Sequence, residues 1–191
     1  MSKIIAEITM SLDGFIAGPG ISKENPMGVN GPLLHEWIFD KATDADRKWL
    51  EELNTNAGAV ICGHHIYDTA IEEAWEGECP FSVPTFVVCH TTPGQKVNGF
   101  VYITGGIEDA LNQAKQTAGE KDVWIMGGAS IIQQYLKSNL VDELRLHIAP
   151  VLLGQGTRLF TDKDPMPTML ENISIMQTPG AVHGIWRIKN G

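Results

Sequence analysis

Apolar and polar positions along the chain alternate between two patterns. Short runs of apolar, β-branched residues predict buried strands, and apolar positions that recur every three to four residues predict helices. The predicted strands are 3–9, 58–63, 85–90, 100–105, 122–128 and 141–154, with two more inside 171–189 on either side of Thr178-Pro179-Gly180. The predicted helices are a short one over 34–39 and longer ones over 44–54, 65–75, 107–119 and 129–138.

The order of these elements predicts the fold class. Strands that alternate with helices indicate an α/β domain with a mostly parallel central sheet and helices on both faces. The last two strands follow each other through a turn, so they predict an antiparallel hairpin at one edge of the sheet. No linker, internal repeat or low-complexity tract interrupts the pattern, and we therefore expect a single domain over residues 1–191.

Two segments carry more specific expectations. The stretch from Gly14 to Pro32 is rich in glycine and proline and has no helical period. It is too long for an ordinary connection, which predicts a functional or mobile loop. The helix over 44–54 has a capping residue at Thr43 or Asp44, and its predicted buried face consists of Ala45, Trp49, Leu50 and Leu53.

Composition narrows the class of protein. Of the 191 residues 43% are apolar and 19% are charged, which is typical of a globular domain and excludes a fully disordered chain. The formal charge of −9, without a basic run, argues against general nucleic-acid binding. It leaves open a local pocket for one phosphorylated small molecule. Three cysteines without a CxxC spacing indicate reduced thiols of a cytoplasmic protein, and no segment has the pattern of a signal peptide or a membrane span.

The most informative segment for chemistry is the predicted junction of strand 122–128 with helix 129–138. The strand ends at Gly127 and Gly128, and the helix begins at once. Without Cβ atoms, a ligand phosphate can approach the backbone and meet the free N–H groups of the helix start. The alternative is a tight turn whose glycines serve packing alone. Neither a GxGxxG nor a GxxxxGK[ST] motif is present.

A second strand-to-helix junction carries Gly63-His64-His65, whose imidazoles can donate to a phosphate or simply lie exposed at a helix start. A zinc site that included Cys62 is disfavoured, because adjacent residues at a strand end point apart. Asp13-Gly14 follows the first strand, where a carboxylate would face a cleft or merely form a turn. The glycine turn 154–157 has the same two interpretations, and we expect the thiols of Cys62 and Cys89 to be inert in the core.

Taken together, five segments resemble the dihydrofolate-reductase-like superfamily, and more closely the reductase domain of riboflavin biosynthesis. They are SLDGFIAGP (11–19), VICGHHIYD (60–68), PTFVVCHTTP (84–93), DVWIMGGASIIQQYL (122–136) and VDELRLHIAPVLLGQGTRLF (141–160). The resemblance implies a dihydrofolate-reductase-like three-layer fold. It also implies an NADPH-dependent reductase, with the cofactor lying across the carboxyl ends of the parallel strands.

The resemblance also assigns site residues. Ile16 and Ala17 would lie near the nicotinamide, and Asp13 would be an orienting or proton-relay group on its substrate side. The remaining implied contacts are with the pyrophosphate and nearby ribose (Gly127, Gly128, Ala129, Ser130 and Ile131), the phosphates on the adenosine side (Gly63, His64 and His65) and the adenine end (Cys89, His90 and Thr91). No metal is implied. Hydride transfer itself belongs to the cofactor, while the protein supplies position and electrostatics.

Two departures from the family pattern affect the function. The superfamily usually has arginine after the glycine of the second strand, where it grips the 2′-phosphate of NADPH. Here that residue is His64, a weaker and pH-dependent partner. The chain also has no HxE…PCxxC zinc motif, so the preceding deamination is not expected of it.

The leading hypothesis is a reductase of 5-amino-6-(5-phosphoribosylamino)uracil or a related heterocycle. The alternatives are a dihydropterin reductase, as in dihydrofolate reductase, and a non-catalytic, nucleotide-binding dimer. The SLDG segment disfavours the first alternative, and the glycine pair together with Asp13 disfavours the second. The apolar strand 144–153 and the C-terminal hairpin indicate a homodimer formed at a sheet edge, as the resemblance also implies.

Overall fold

The computed structural model describes residues 2–161 and 168–189. Their strands are β1 (Ile4–Ser11), β2 (Phe15–Ala17), β3 (Ala57–Gly63), β4 (Thr85–Val88), β5 (Phe100–Ile103), β6 (Asp122–Gly127), β7 (Glu143–Ala149), β8 (Thr157–Arg158), β9 (Leu170–Gln177) and β10 (Val182–Ile188). The helices are α1 (Asp44–Asn56), α2 (His64–Ala70), α3 (Ile107–Ala118) and α4 (Ala129–Lys137), together with a 3₁₀ helix over Gly31–His35.

Over the described residues, eight strands form one sheet in the order β5-β4-β3-β6-β1-β7-β10-β9. The first six strands in this order pair in parallel, whereas β10 is antiparallel to both β7 and β9. A separate antiparallel pair joins β2 to β8. The predicted α/β fold, with a mostly parallel sheet and an antiparallel C-terminal hairpin, is confirmed.

One face of the sheet is an apolar layer beneath α3 and α4. Strand residues such as Ile125 and Leu146 pack there against Leu111 of α3 and Ile132 of α4. The largest fully buried side chain of this layer, Tyr135, donates its hydroxyl hydrogen to the carbonyl oxygen of Ile107 at 2.7 Å. Apolar burial on this face supplies most of the driving force for packing the two helices.

The opposite face of the sheet is divided between two environments. Near α2 it is apolar, with Cys62 and Val87 packed against Tyr67. Near α1 the side chains of β1, β7 and β10 are polar although they are buried, notably Glu7 and His147. This polar half is unusual, because buried charged groups require partners.

The predicted helices differ from the observed ones at their ends. The short helix expected over 34–39 is instead a 3₁₀ helix that begins at Gly31, and the helix expected over 65–75 ends at Ala70. The long strand expected over 141–154 ends at Ala149. After β7 the chain turns back toward the β1–β2 connection, and Pro150, which lacks an N–H, cannot donate to a strand ladder.

Thr43 caps α1 as predicted, with Asp46 completing a capping box. The predicted buried face of this helix was wrong in part. Ala45 is exposed, whereas Asp46 is fully buried and Trp49 and Leu50 are only half-buried. The sheet surface beneath the helix is polar, which the spacing of apolar residues in the helix cannot reveal. The carboxylate of Asp46 therefore faces the sheet, and the methyl group of Ala45 does not.

The Gly14–Pro32 loop contains more structure than the sequence indicated. Its start forms β2, which pairs with β8, and its end joins the 3₁₀ helix. Across the described residues, we find no helix whose length and apolar character would let it cross a membrane.

Two adjacent leucines of the 3₁₀ helix provide a test of how this helix packs against the sheet. Leu34 is fully buried, while Leu33 is 41% exposed. We expect Leu34→Ala to lower the free energy of unfolding by about 2–5 kcal/mol, because it leaves a cavity. The matched control Leu33→Ala should change it by no more than about 0.5 kcal/mol. Urea unfolding followed by circular dichroism measures both, and equal effects would contradict the described placement of the 3₁₀ helix.

Candidate active site

The carboxyl ends of the parallel strands meet at one edge of the sheet, which is where ligands bind in open α/β sheets. At this edge β3 ends at Gly63 and runs directly into α2, and β6 ends at Gly127 and runs through Gly128 into α4. Since β3 and β6 are neighbours with Cys62 opposite Gly127, the two predicted glycine turns lie side by side.

Gly63 is required for the packing of α4. A Cβ atom at this position would lie 2.7 Å from Cγ1 of Ile131, which is itself buried. The absence of a side chain therefore lets the first turn of α4 approach the end of β3. This close approach brings together two of the predicted cofactor residues, Gly63 and Ile131.

The two glycines of the second turn differ in whether their backbone conformation would allow a side chain. Gly127 has φ +131°, a conformation that L side chains rarely adopt, and the Gly127–Gly128 peptide is cis. Gly128 has an extended conformation, and a Cβ there would lie 3.4 Å from Ile66 and 4.0 Å from Ile16, both at their Cδ1 atoms. The backbone at Gly128 could therefore carry a side chain, but the side chain would fill the space in front of the turn.

Ile16 and Ile66 form an apolar wall beside this turn. Ile16 lies on β2. Ala17, the other residue predicted to lie near the nicotinamide, is buried and pairs with β8. A Cβ at Gly156 would lie 2.0 Å from the carbonyl oxygen of Ala17. Close packing of β8 therefore accounts for this glycine, in agreement with the turn interpretation of 154–157.

The start of α4 presents backbone donors. Ala129 is buried and Ser130 is exposed, and Gly128 at the N-cap provides no side-chain acceptor. The first N–H groups of a helix lack intrahelical partners and favour an anion. These residues fit a phosphate-bearing group, with the apolar wall suited to a flat ring beside it.

The imidazoles of the first turn lie at the surface. His64 and His65 are the first residues of α2 and both are exposed, and the ring of His64 is roughly parallel to that of Tyr67 at 6.3 Å. Tyr67 in turn shares a hydrogen bond of 2.9 Å with the hydroxyl of Tyr102. Burial raises the pKa of the Tyr67 phenol, which keeps Tyr67 neutral.

The third predicted segment follows β4 at the same edge. Cys89 is buried and its N–H donates to the carbonyl oxygen of Ile103, whereas His90 and Thr91 are exposed. Burial raises the pKa of the Cys89 thiol and also that of the Cys62 thiol. Both are free cysteines in buried positions, as expected of inert core thiols.

Asp13 lies between β1 and β2 and binds the β7–β8 connection. Its Oδ1 accepts from the N–H of Leu153 at 3.1 Å and its Oδ2 from the N–H of Gly154 at 2.7 Å. A hydrogen bond with the Ser11 side chain, helped by these backbone N–H groups, lowers the pKa of Asp13 to about 2. The group is therefore a carboxylate at neutral pH, with both oxygens engaged.

Arg158 strengthens the same connection. Its Nη1 donates to the carbonyl oxygen of Asp13 at 3.0 Å, and its guanidinium lies 4.2 Å from the ring centre of Phe15. These contacts favour a role for Asp13 in positioning the start of the Gly14–Pro32 loop over a role as a proton relay. Its contact with a substrate stays a prediction, as do the predicted cofactor contacts.

Sequence reasoning did not identify the buried polar residues beneath α1. Glu7, His147 and His183 come from β1, β7 and β10, and they form a row of contacts that ends at Asp46 of α1. The available signal was the pattern itself, because a charged or polar residue interrupts each of the strands KIIAEIT and ELRLHIA at a position that alternation makes inward-facing. In the part of the chain that the structure describes, no cluster of three or more His, Cys, Asp or Glu side chains could hold a metal ion.

Comparison with known proteins agrees with the resemblance found in the sequence. The family model of the RibD C-terminal domain matches residues 2–183. The uncharacterized protein YyaP of Bacillus subtilis (strain 168) is 30% identical over 169 residues, which cover 84% of this chain and 81% of that protein. The family predicted from the sequence is confirmed.

Two solved structures show the same fold. A putative riboflavin biosynthesis protein from Shewanella sp. PV-4 superposes with a TM-score of 0.76 at 22% identity, covering 98% of this chain and 99% of that one. Dihydrofolate reductase from Enterococcus faecalis, complexed with NADP(H) and RAB-propyl, superposes with a TM-score of 0.63 at 12% identity, covering 98% and 97%. The predicted dihydrofolate-reductase-like fold is thereby confirmed.

Asp13→Asn tests the positioning role. An amide can accept at one oxygen only, so Leu153 or Gly154 should lose its acceptor and exchange its amide hydrogen at least about tenfold faster. In the parent, the contribution of the ionised Asp13 is complete above about pH 4 and is lost as the pH falls through its pKa of about 2. The variant should lack this acid-dependent loss in unfolding experiments. Unchanged exchange at both amides would contradict the described contacts.

Proposed function

We propose that this chain, which belongs to the RibD C-terminal domain family, is an NADPH-dependent reductase of the riboflavin-biosynthesis type. The observation that carries the proposal is the β6–Gly127–Gly128–α4 turn. It opens onto the apolar wall of Ile16 and Ile66 at the edge of the sheet where ligands bind.

The residues present fit this cofactor. The backbone N–H groups that begin α4 would hold the pyrophosphate, and the apolar side chains of Ile16 and Ile66 would contact the nicotinamide. His64 and His65 lie exposed at the neighbouring turn and would meet the phosphates on the adenosine side. Cys89, His90 and Thr91 follow β4, one strand further out, and would border the adenine.

When bound, NADPH supplies the hydride. The substrate we propose is 5-amino-6-(5-phosphoribosylamino)uracil or a related heterocycle, in which the hydride reaches C1′ of the opened ribose. The family match supports this class, as does the riboflavin assignment carried by the name of the Shewanella protein. The NADP(H) complex of the Enterococcus reductase supports the choice of cofactor.

The protein's contribution is position and electrostatics. Asp13 would act by fixing the connection from β1 to Ile16, because both of its oxygens are already engaged by Leu153 and Gly154. We place the reaction in the cytoplasm, which agrees with the three free thiols among the described residues.

Gly128→Val tests the cofactor site. Gly128 has an extended conformation that valine adopts readily, so the fold should persist while the new side chain fills the turn. We expect the Kd for NADPH to rise at least tenfold, which is about 1.4 kcal/mol, in a fluorescence titration. Gly94→Val is the matched control, because a Cβ at Gly94 meets no atom within 4 Å. A folded Gly128→Val variant that binds NADPH like the parent would place the cofactor elsewhere.

A substrate panel then separates the candidate enzymes. The absorbance of NADPH reports its oxidation, which we expect when the phosphoribosylaminouracil is the substrate. NADPH oxidation with dihydropterin but not with the phosphoribosylaminouracil would establish the dihydrofolate reductase alternative. Tight NADPH binding without turnover on either compound would favour the non-catalytic, nucleotide-binding dimer.

We further propose that the protein forms a homodimer through β9. In the described part of the chain β9 pairs with β10 alone, so its eight residues leave one side of the backbone free to pair. Leu170, Ile173 and Ile175 are exposed along it. β7 lies inside the sheet between β1 and β10, so the predicted contribution of 144–153 to a sheet edge was wrong.

Ile175→Lys tests this dimer, because a charged residue on an edge strand opposes pairing with a second copy. We expect the parent to sediment as a dimer and the variant as a monomer in analytical ultracentrifugation. The variant should keep its circular dichroism spectrum, since Ile175 is 50% exposed. A parent that sediments as a monomer at high concentration would rule out the β9 interface.

A further inference from the structure

Two buried histidines face each other across the polar half of the sheet. His147 on β7 and His183 on β10 are directly paired in register, and their Nδ1 atoms lie 2.7 Å apart. His147 is 3% exposed and His183 is fully buried. At this distance the two nitrogens are hydrogen-bonded, so one and only one of them carries a hydrogen.

The outer nitrogens of the two rings each meet a buried carboxylate. His147 Nε2 lies 2.9 Å from Glu7 Oε1, and His183 Nε2 lies 2.9 Å from Asp46 Oδ1. Asp46 Oδ1 is buried and makes no hydrogen bond of normal geometry among the described residues, so this contact is an ion pair by distance, effective only while His183 carries a proton. The hydroxyl of Thr178 shares a hydrogen bond of 3.3 Å with the same His183 nitrogen, and it can donate to that nitrogen only when the nitrogen carries no hydrogen.

The number of hydrogens in this row depends on its charge. The hydrogen bonds of His147 with Glu7 and with His183 need one hydrogen each, and two neutral imidazoles supply these two. The ion pair of His183 with Asp46 needs a third hydrogen, on Nε2 of His183. A third hydrogen makes the histidine pair a cation between two buried anions.

We propose that His147 and His183 share this extra proton between their Nδ1 atoms. We further propose that the shared proton fastens the segment between β2 and α1, residues 18–43, to the sheet in a pH-dependent manner.

The charged groups that face the pair support a single extra proton. On β1 and α1 these are Glu7 and Asp46, and on β7 Arg145 lies 3.7 Å from Glu7 Oε2 and is also paired with Glu143. Burial and the proximity of His147 lower the pKa of His183, whereas the carboxylates of Asp46 and Glu7 act to raise it. Burial also lowers the pKa of His35 at the end of the 3₁₀ helix, so this third histidine remains neutral.

Trp37 connects the pair to the segment. Its ring centre lies 4.4 Å from that of His147 and 4.9 Å from that of His183, and its Nε1 donates to Thr9 at 3.2 Å. A Cβ on Gly180 would lie 2.7 Å from Cβ of Trp37, so the β9–β10 turn closes over it. Trp37 thereby holds the later part of the segment against the row.

Asp46 holds the end of the segment. Its second oxygen, Oδ2, accepts from both the N–H and the hydroxyl of Thr43 in the capping box of α1, while Oδ1 contacts His183. On the other side of the row, Trp49 of α1 donates to Glu7 at 2.9 Å. The same four titratable residues therefore tie both Trp37 and the start of α1 to the sheet.

The effect of pH has two sides. Loss of the extra proton at higher pH leaves the buried Asp46 Oδ1 beside a ring nitrogen without a hydrogen, which is unfavourable. Gain of a second proton at lower pH places two N–H groups and two positive charges against each other. Either change weakens the contacts of the row, and with them the packing of Trp37. We therefore expect fastening to be strongest at intermediate pH.

Nitrogen NMR of the full-length chain labelled with ¹⁵N-histidine tests the proton count directly. We expect one strongly downfield, exchange-protected proton that correlates with the Nδ1 atoms of both His147 and His183, with hydrogen also on both Nε2 atoms. His183→Gln identifies this signal by abolishing it. Two ordinary neutral tautomers in the parent at every pH, without that proton, would overturn the proposal.

Hydrogen exchange tests the fastening. From about pH 5 to about pH 9, exchange in segment 18–43, corrected for its intrinsic pH dependence, should pass through a minimum near the pH where the downfield proton is sharpest. Amides of β6 serve as the internal reference. His147→Gln, and independently Trp37→Phe, should raise exchange in the segment several-fold and flatten the minimum. Monotonic or flat exchange in the parent would overturn the role of the shared proton. These readouts need neither NADPH nor substrate, so they stand apart from a failure of the proposed reductase.

Discussion

The geometry of the candidate site depends on one steric constraint, the close approach of α4 to the end of β3. Ile131 fits there only because Gly63 has no side chain. This contact places the beginning of α4 between the ends of two neighbouring strands. The neighbouring Gly127, in a conformation that favours glycine, then directs the backbone into the helix. The exposed backbone donors at the start of α4 follow from these two positions.

The two faces of the sheet are built by different physical means. Beneath α3 and α4, burial of branched aliphatic side chains and Tyr135 is sufficient. Beneath α1, the sheet presents Glu7, Thr9 and His147, and the segments above it carry matching donors and acceptors. The capping box begins α1 and also places Asp46 against His183 of the sheet. The N–H groups of Trp37 and Trp49 donate to Thr9 and Glu7, which are buried polar groups of the sheet.

The fold could be predicted from the sequence because its strands and helices have clear periods and terminators. Helix 107–119, with Gly119 at its C-cap, and the hairpin around Thr178-Pro179-Gly180 are close to the observed elements. The orientation of α1 could not be predicted, because its inward-facing Asp46 contacts His183. His183 is remote in sequence, and the hydrophobic periodicity of α1 does not indicate this contact. β2 and β8 were missed because strands of two or three residues are too short to show alternation.

The strand-to-helix turns of the candidate site were also predictable, while its ligand contacts stay predictions. Gly63, Gly127 and Gly128 were identifiable because a glycine at a strand-to-helix junction is typical of a backbone that a ligand or a packed side chain approaches closely. The function of Asp13 was not, since the same Asp-Gly pair suits a turn, a cleft or, as observed, an anchor for the distant Leu153 and Gly154. Contacts of this kind join residues 140 positions apart along the chain.

The polar row also bears on how the chain finds its strand pairing. Side chains alternate between the two faces of a sheet, so a slip of β10 or β7 by one residue would exchange the faces of all their side chains. His147 would then enter the aliphatic layer beneath α4, and Leu146 or Ile148 would confront the carboxylate of Glu7. A purely apolar sheet would tolerate such errors more easily. Here misregistered pairing would leave buried charges without partners, so the residues beneath α1 disfavour misalignment of the three strands.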